Sequence, residues 1–98
     1  METPLHLPES ESPKSIRQVM NALEKQGLSP RHDKKAWGDW INFGGADTVI
    51  SIESVRGLSR MATVEPGERD SEDIQDSIIA AFRSLNWYGS DEDGEYQL

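Results

Sequence analysis

Apolar residues recur at helical spacing in two segments of the chain and at extended spacing in the segment between them. In the first helical segment the apolar positions are three and four residues apart and share one face: Ile16, Val19, Met20 and Leu23. Ser12-Pro13 predicts the start of this helix, because a serine side chain can accept from a free first-turn amide and proline fits the first helical position. Gly27 predicts its end in the left-handed conformation.

A second helix is predicted near the end of the chain by a broader apolar stripe: Ile74, Ile78, Ala81, Phe82 and Leu85. Asp70 or Ser71 is the predicted N-cap. Glu72 and Asp73 follow in the first turn, where negative charge suits the positive end of the helix dipole. Residues 86–89 are expected to end this helix.

Between the two helices the pattern changes to that of β-strands. Three segments are rich in aromatic and β-branched residues: Trp37–Phe43, Thr48–Val55 and Leu58–Val64. Gly44–Asp47 and Arg56-Gly57 separate them and have the length of hairpin turns, so we expect an antiparallel meander. Residues 31–35, before the first strand, are typical of a polar and mostly basic connector.

The predicted fold is α+β with the order α-β-β-β-α, a three-stranded antiparallel meander whose apolar face is covered by both helices. We expect a single domain over residues 12–88. Residues 1–11 are predicted to be a disordered N-terminal arm and residues 89–98 a mobile acidic tail, since neither end carries periodic apolar residues. Removing either end is therefore expected to leave the melting temperature nearly unchanged.

The chain carries no motif of a known family. Its predicted order of helix, meander and helix is similar to the opening half of small acidic secretion-chaperone-like domains, which bind partner chains without catalysis. This resemblance rests on the order of the elements and favours a binding role.

The net charge of −8 comes from the last third of the chain. Residues 1–63 hold eight acidic and eight basic side chains, whereas residues 64–98 hold ten acidic side chains and two arginines. Such a local negative field repels nucleic-acid phosphates and acidic membranes and attracts a basic surface. There is no cysteine, and the longest apolar run, residues 78–82, is far shorter than the roughly 20 residues of a membrane span. We therefore predict a cytoplasmic protein without membrane contact.

Patterns typical of catalysis or metal binding do not occur in the sequence. His6 and His32 are too far apart to share a helix face, and no nucleophile stands in a known motif with a base. Gly44-Gly45 lacks the lysine and hydroxyl residue of a phosphate-binding loop. We therefore predict no catalytic residue, no metal site and no cofactor.

One carboxylate leaves an enzyme open as an alternative. Asp39 shares strand parity with Trp37, Ile41 and Phe43, so regular alternation turns it toward the apolar face, where a lone carboxylate has a raised pKa or needs a partner. A bulge at Gly38, or an edge position of the strand, would instead let Asp39 reach water, and this is the outcome we expect. A concave pocket that contains Asp39 would favour an enzyme.

The sequence thus predicts a small, acidic, non-catalytic module that binds or regulates a protein partner, as a monomer or a homodimer. The alternatives are an inhibitor that mimics nucleic acid through its carboxylates and a small enzyme that uses Asp39. The interaction candidates are acidic: Glu65, Glu68, Asp70, Glu72, Asp73, Asp76, Asp91, Glu92 and Asp93. A basic patch would form if the connector folded over one end of the meander: Arg31, Lys34, Lys35, Arg56 and Arg60. Nucleic acid is nevertheless not the expected partner. The exposed apolar candidates are Met61, Trp87 and Tyr88.

Overall fold

The structure, a computed structural model, describes residues 2–68, 70 and 72–98. Its elements are β1 (Thr3–His6), β2 (Lys14–Ser15), α1 (Ile16–Lys25), β3 (Pro30–Lys35), β4 (Gly38–Phe43), β5 (Val49–Val55), β6 (Leu58–Glu65), α2 (Glu72–Ser84), β7 (Tyr88–Asp91) and β8 (Gly94–Gln97). The fold is α+β with one antiparallel sheet and two helices, as the sequence predicts. The predicted number of strands is wrong, because the described residues form eight rather than three.

Helix α1 begins later than predicted because Ser15, and not Ser12, is its N-cap. The Ser15 hydroxyl accepts from the Gln18 amide at 3.1 Å, and the Gln18 side chain accepts from the Ser15 amide at 2.9 Å. This reciprocal capping box satisfies two amides that would otherwise be free. Gly27, with φ of +84°, follows the last turn as predicted.

Helix α2 carries the predicted acidic first turn and buries Ile78, Ala81 and Phe82. The alternative cap at Ser71 lies outside the described residues, as does Met1 of the predicted arm. In the part of the chain that the structure describes, neither helix combines the length and apolar character that crossing a membrane requires.

The sheet has the order β3-β4-β5-β6-β1-β7-β8, and β2 pairs with β6. The predicted meander forms its β4-β5-β6 part, with Arg56 and Gly57, at φ of 56° and 76°, making the tight β5-β6 turn. The predicted connector is instead the edge strand β3, which pairs with β4 along its whole length. Its charged, exposed residues are typical of an edge strand, because charge there prevents pairing with another sheet.

Both ends of the chain differ from the prediction. Strand β1, in the predicted disordered arm, lies between β6 and β7, with Leu5 opposite Ala62 on one side and Gly89 on the other. Leu5 and Leu7 are both buried, so two alternating leucines place the arm in the sheet. Residues 88–97, most of which belong to the predicted mobile tail, form the β7-β8 hairpin.

The core lies between the two helices and one face of the sheet. The sheet contributes alternating side chains, among them Leu5, Ile41, Ile50, Ile52 and Val64, and the helices contribute Val19, Leu23, Ile78 and Phe82. Trp87 packs edge-on against Phe82, with ring centroids 5.0 Å apart. The opposite face of the sheet, which we call the open face, carries the alternate residues of the same strands.

The antiparallel register determines which turns meet at each end of the sheet. The β4-β5 turn, the loop from β6 to α2 and the β7-β8 turn lie at one end. The β3-β4 and β5-β6 turns lie at the other end, where α1 also begins, since the Ile16 amide donates to the Gly57 carbonyl at 3.2 Å. Segments far apart in sequence therefore share an end.

Candidate functional site

Asp39 is a buried carboxylate with three polar neighbours. It is 1% exposed and lies on the helix-covered face of β4. Its Oδ1 accepts from His32 Nε2 at 2.5 Å, and its Oδ2 accepts from the Ser54 hydroxyl and lies 3.6 Å from Lys34 Nζ. The expectation that Asp39 reaches water is wrong, because β3 provides partners that satisfy it within the sheet.

Gly38 has a different role from the predicted bulge. A Cβ atom at this position would lie 2.2 Å from the Ile52 carbonyl oxygen, so glycine allows the β4 and β5 backbones to approach. The bulge occurs instead where β5 and β6 pair, between Glu53 and Ser54. The extra residue is Arg60 of β6, since the consecutive residues Glu53 and Ser54 pair with Met61 and Ser59. Ser54 keeps the parity of Ile52, which lies opposite Asp39, and donates to Asp39 from the same face.

Burial alone would raise the pKa of Asp39. The hydrogen bonds from Ser54 and His32 and the positive charge of Lys34 outweigh this effect and hold the pKa of Asp39 below its usual value. Asp39 is therefore ionised near neutral pH, with both oxygens engaged. The cavity next to it is lined by Ser54 and not by Asp39. This arrangement suits a clamp that fastens the edge strand β3 to β4 and β5.

The predicted basic residues divide between the two ends of the sheet. Lys34 and Lys35 end β3 at the end where Arg56 and Arg60 flank the β5-β6 turn, and we call these four residues the basic end. Arg60 also donates to the Pro8 carbonyl at 3.1 Å. Arg31 lies at the opposite end, against Gly44, so it does not join them.

A groove runs across the open face beside the basic end. One cavity of about 900 Å³ is lined by Pro13, Trp37, Glu53, Ser54, Val55, Arg56, Leu58, Arg60 and Met61. A second cavity of about 420 Å³ shares Trp37, Glu53 and Met61 with it and continues to His6 and Ser90. We call the two together the open-face groove. Strand parity assigned Trp37 to the core side, but its ring lies edge-on to Trp40 on the open face.

Most of the predicted acidic candidates gather at the other end of the sheet. We call this surface the acidic end, and its members are Asp47, Glu65, Glu68, Asp70, Glu72, Asp73, Asp91, Glu92 and Asp93. They come from the β4-β5 turn, the loop before α2, the first turn of α2 and the β7-β8 turn. Asp76 follows one turn further along α2. The sequence showed a charge run from Glu65 to Asp76, but it did not indicate that Asp47 and Asp91–Asp93 would join it.

Asp70 has a structural partner within the acidic end. Its carboxylate accepts from the Thr48 hydroxyl, from the Thr48 amide at 2.6 Å and from the Asp47 amide at 3.0 Å. These bonds, led by that from the Thr48 hydroxyl, hold the pKa of Asp70 below its usual value. Thr48 is buried and also accepts from the Gly67 amide at 3.2 Å and from Gln75 at 3.0 Å. The network therefore fixes the β4-β5 turn against the start of α2.

Sequence reasoning missed a polar cluster on the open face that joins β1, β7 and β8. His6 Nδ1 lies 2.6 Å from the Ser90 hydroxyl, and His6 Nε2 lies 2.5 Å from Glu95. Serine hydrolases place the serine at Nε2 and the carboxylate at Nδ1, the reverse of this order. The cluster instead ties three strands together. Only the register of those strands brings its members close, so no spacing along the chain indicates it.

The exposed apolar candidates have different environments. Met61 is exposed in the open-face groove, whereas Trp87 is buried in the core and Tyr88 is half-buried near His6.

Among residues 2–68, 70 and 72–98, no group of three His, Cys, Asp or Glu side chains is placed to hold a metal ion.

Comparison with known proteins gives no match, since no family model fits the chain and neither a curated protein nor a solved structure is significantly similar to it.

Proposed function

We propose that the protein is a non-catalytic binding module that engages a basic surface of a partner protein through its acidic end. The observation that carries this proposal is topological. Antiparallel pairing brings the β4-β5 turn, the loop before α2 and the β7-β8 turn to one end of the sheet, and all three are acidic. Carboxylates that are up to 46 positions apart, from Asp47 to Asp93, therefore act as one negative surface.

Most carboxylates of the acidic end are available to a partner, whereas that of Asp70 is held by Thr48 and Asp47. The ion pairs formed within the described part of the chain use Glu11, Asp39 and Glu95, and none uses a carboxylate of the acidic end. Glu68, Glu72, Asp73 and the β7-β8 turn are exposed. Charges of one sign repel each other, and a cationic surface relieves that repulsion while the field accelerates its approach.

The acidic end is also held in shape before a partner arrives. The bonds between Asp70 and Thr48 connect two of its segments, and the β7-β8 turn is closed by the Asp93 amide, which donates to Asp91 at 2.8 Å. A surface that is already ordered loses less conformational entropy on binding. This favours recognition by a fixed pattern of charges over non-specific attraction to any cation.

The test compares two double variants that change the net charge equally but reverse carboxylates on different surfaces. The Asp73→Lys/Glu92→Lys variant alters the acidic end, and the Glu9→Lys/Asp33→Lys variant alters exposed residues elsewhere. Two reversals of two units each change the net charge from −8 to −4 in both. We expect a partner captured by the wild-type protein from its own cell lysate to lose at least tenfold in affinity for the first variant only.

Equal losses for the two variants would contradict the proposal, because net charge rather than the acidic end would then govern binding. A catalytic turnover abolished by Asp39→Asn would contradict its non-catalytic part. Competition by double-stranded DNA for the captured partner would instead support the alternative, an inhibitor that mimics nucleic acid.

A further inference from the structure

The exposed apolar side chains of the sheet are concentrated in the open-face groove. Trp37, Val55, Leu58 and Met61 are 50%, 75%, 45% and 55% exposed and line the same cavity. Together they leave roughly 400 Å² of apolar surface in water, within the range of about 300–600 Å² for the largest and often functional patch of a monomer. We propose that this groove is a two-fold interface with a second copy of the chain.

The size of the patch suits a homodimer. A standard interface buries roughly 800 Å² per partner, and about 65% of a homodimer interface is apolar. The four side chains supply about three-quarters of that apolar area. Pro4 and Pro13 also line the groove and add to it.

The groove carries both negative and positive side chains, so it can pair with the same groove of a second copy of the chain. A two-fold interface brings the same patch of both copies together, so the patch must carry both signs of charge or neither. Glu53 lies where the two cavities meet, and Arg56 and Arg60 line only the cavity at the basic end. An antiparallel arrangement of two grooves places Glu53 of one copy on the arginine side of the other.

The distribution of net charge also favours this surface over the acidic end for self-association. Strand β6 connects the two ends with eight residues, which span roughly 26 Å at about 3.3 Å per residue. That distance is about three times the Debye length of about 8 Å at physiological ionic strength. In the antiparallel arrangement the acidic ends of the two copies lie at opposite ends of the dimer, so the net charge of −8 opposes the dimer only weakly.

The test measures molar mass by sedimentation equilibrium across a range of concentrations. We expect the wild-type protein to reach twice the monomer mass of 11.0 kDa. Met61→Lys is expected to raise the dissociation constant at least tenfold, because it places an unpaired charge in the interface. Its melting curve, measured at a concentration where both proteins are monomeric, is expected to match that of the wild type, since Met61 is exposed.

A charge exchange tests the orientation of the two copies. Glu53→Arg and Arg56→Glu are each expected to weaken the dimer, and the double variant is expected to recover at least half of the lost free energy of association. A wild-type protein that stays monomeric at every soluble concentration would overturn the proposal. A dimer that is dissociated by Tyr96→Lys and not by Met61→Lys would also overturn it, because the copies would then pair through the β8 edge. The acidic-end variant Asp73→Lys/Glu92→Lys is expected to remain dimeric. The dimer proposal and the proposed function are therefore tested separately, and either can be wrong without the other.

Discussion

Replacing Asp39 with alanine tests whether the buried carboxylate fastens the edge strand to the sheet. The change removes two hydrogen bonds to a charged acceptor, from His32 and from Ser54, each worth roughly 1.5–3 kcal/mol. His32 and Lys34 have side chains that are 34% and 63% exposed, so both regain water and the full cost of breaking a buried pair is not reached. We expect Asp39→Ala to lower the free energy of unfolding by about 2–4 kcal/mol, measured by urea denaturation.

The contribution of Asp39 to the free energy of unfolding is expected to depend on pH. The pKa of Asp39 is lowered in the folded state, so its contribution to stability is fully present above the unfolded value of about 3.9 and is lost as pH falls through the folded pKa. The difference in unfolding free energy between wild type and Asp39→Asn is therefore expected to shrink as pH falls below about 4.

The matched control is Asp33→Asn, a change of the same type on the exposed edge strand. Among the described residues Asp33 accepts one long bond, from Asn42 at 3.4 Å, so this variant is expected to lose less than about 0.5 kcal/mol. The reasoning would be refuted if Asp39→Ala cost no more than the control, or if the loss for Asp39→Asn did not change with pH.

Three further perturbations test the fold. Phe82→Ala removes a buried ring that packs against Trp87, and we expect a loss of about 3–5 kcal/mol in urea denaturation, whereas a loss below about 1 kcal/mol would exclude a core position. Deleting residues 2–7 removes β1 from between β6 and β7, so circular dichroism is expected to show an unfolded chain, and a native spectrum would place the arm outside the sheet. Gly89→Ala would put a Cβ atom 2.2 Å from the Tyr96 ring and is expected to lower the melting temperature, and Tyr96→Ala in the same chain is expected to reverse part of that loss. Additive losses would show that the two residues do not touch.

The elements that sequence reasoning predicted are those with a repeated local signal. The stripe of α2 and the β-branched runs of β5 and β6 each extend over two or more periods, so the pattern alone determines the type of element. The turn at Arg56-Gly57 could also be predicted, because its length and its glycine suit a tight hairpin.

The strands that the sequence did not predict have too few alternating apolar residues to be recognised. Strand β1 has only Leu5 and the adjoining Leu7 as alternating apolar residues, between two prolines, and it gains stability from partners that are more than 50 residues away. Strand β3 has almost no apolar residue because it lies at an edge, where charge is favourable. The β7-β8 hairpin has an acidic turn with Gly94 at φ of 111°, and its charge suggested disorder instead.

The environment of Asp39 could be predicted only in part. Strand parity correctly placed its carboxylate on the covered face, but its partners could not be known. His32 and Lys34 face it only because the predicted connector is a strand in register with β4, and Ser54 faces it because the β4-β5 register sets Asp39 opposite Ile52, two residues before Ser54. The acidic end has the same origin, since pairing of β7 with β1 brings the last acidic turn to the others.

The association rate constant with the captured partner, measured by stopped-flow fluorescence at several ionic strengths, tests the proposed role of the acidic end most directly. Electrostatic steering raises association rates by roughly 10- to 1000-fold, and salt removes that gain. We expect the wild-type rate constant to fall at least tenfold between low and physiological ionic strength. Asp73→Lys/Glu92→Lys is expected to lose most of this dependence and Glu9→Lys/Asp33→Lys to retain it. An association rate constant that does not change with salt, or a salt dependence that both variants reduce equally, would contradict binding through the acidic end.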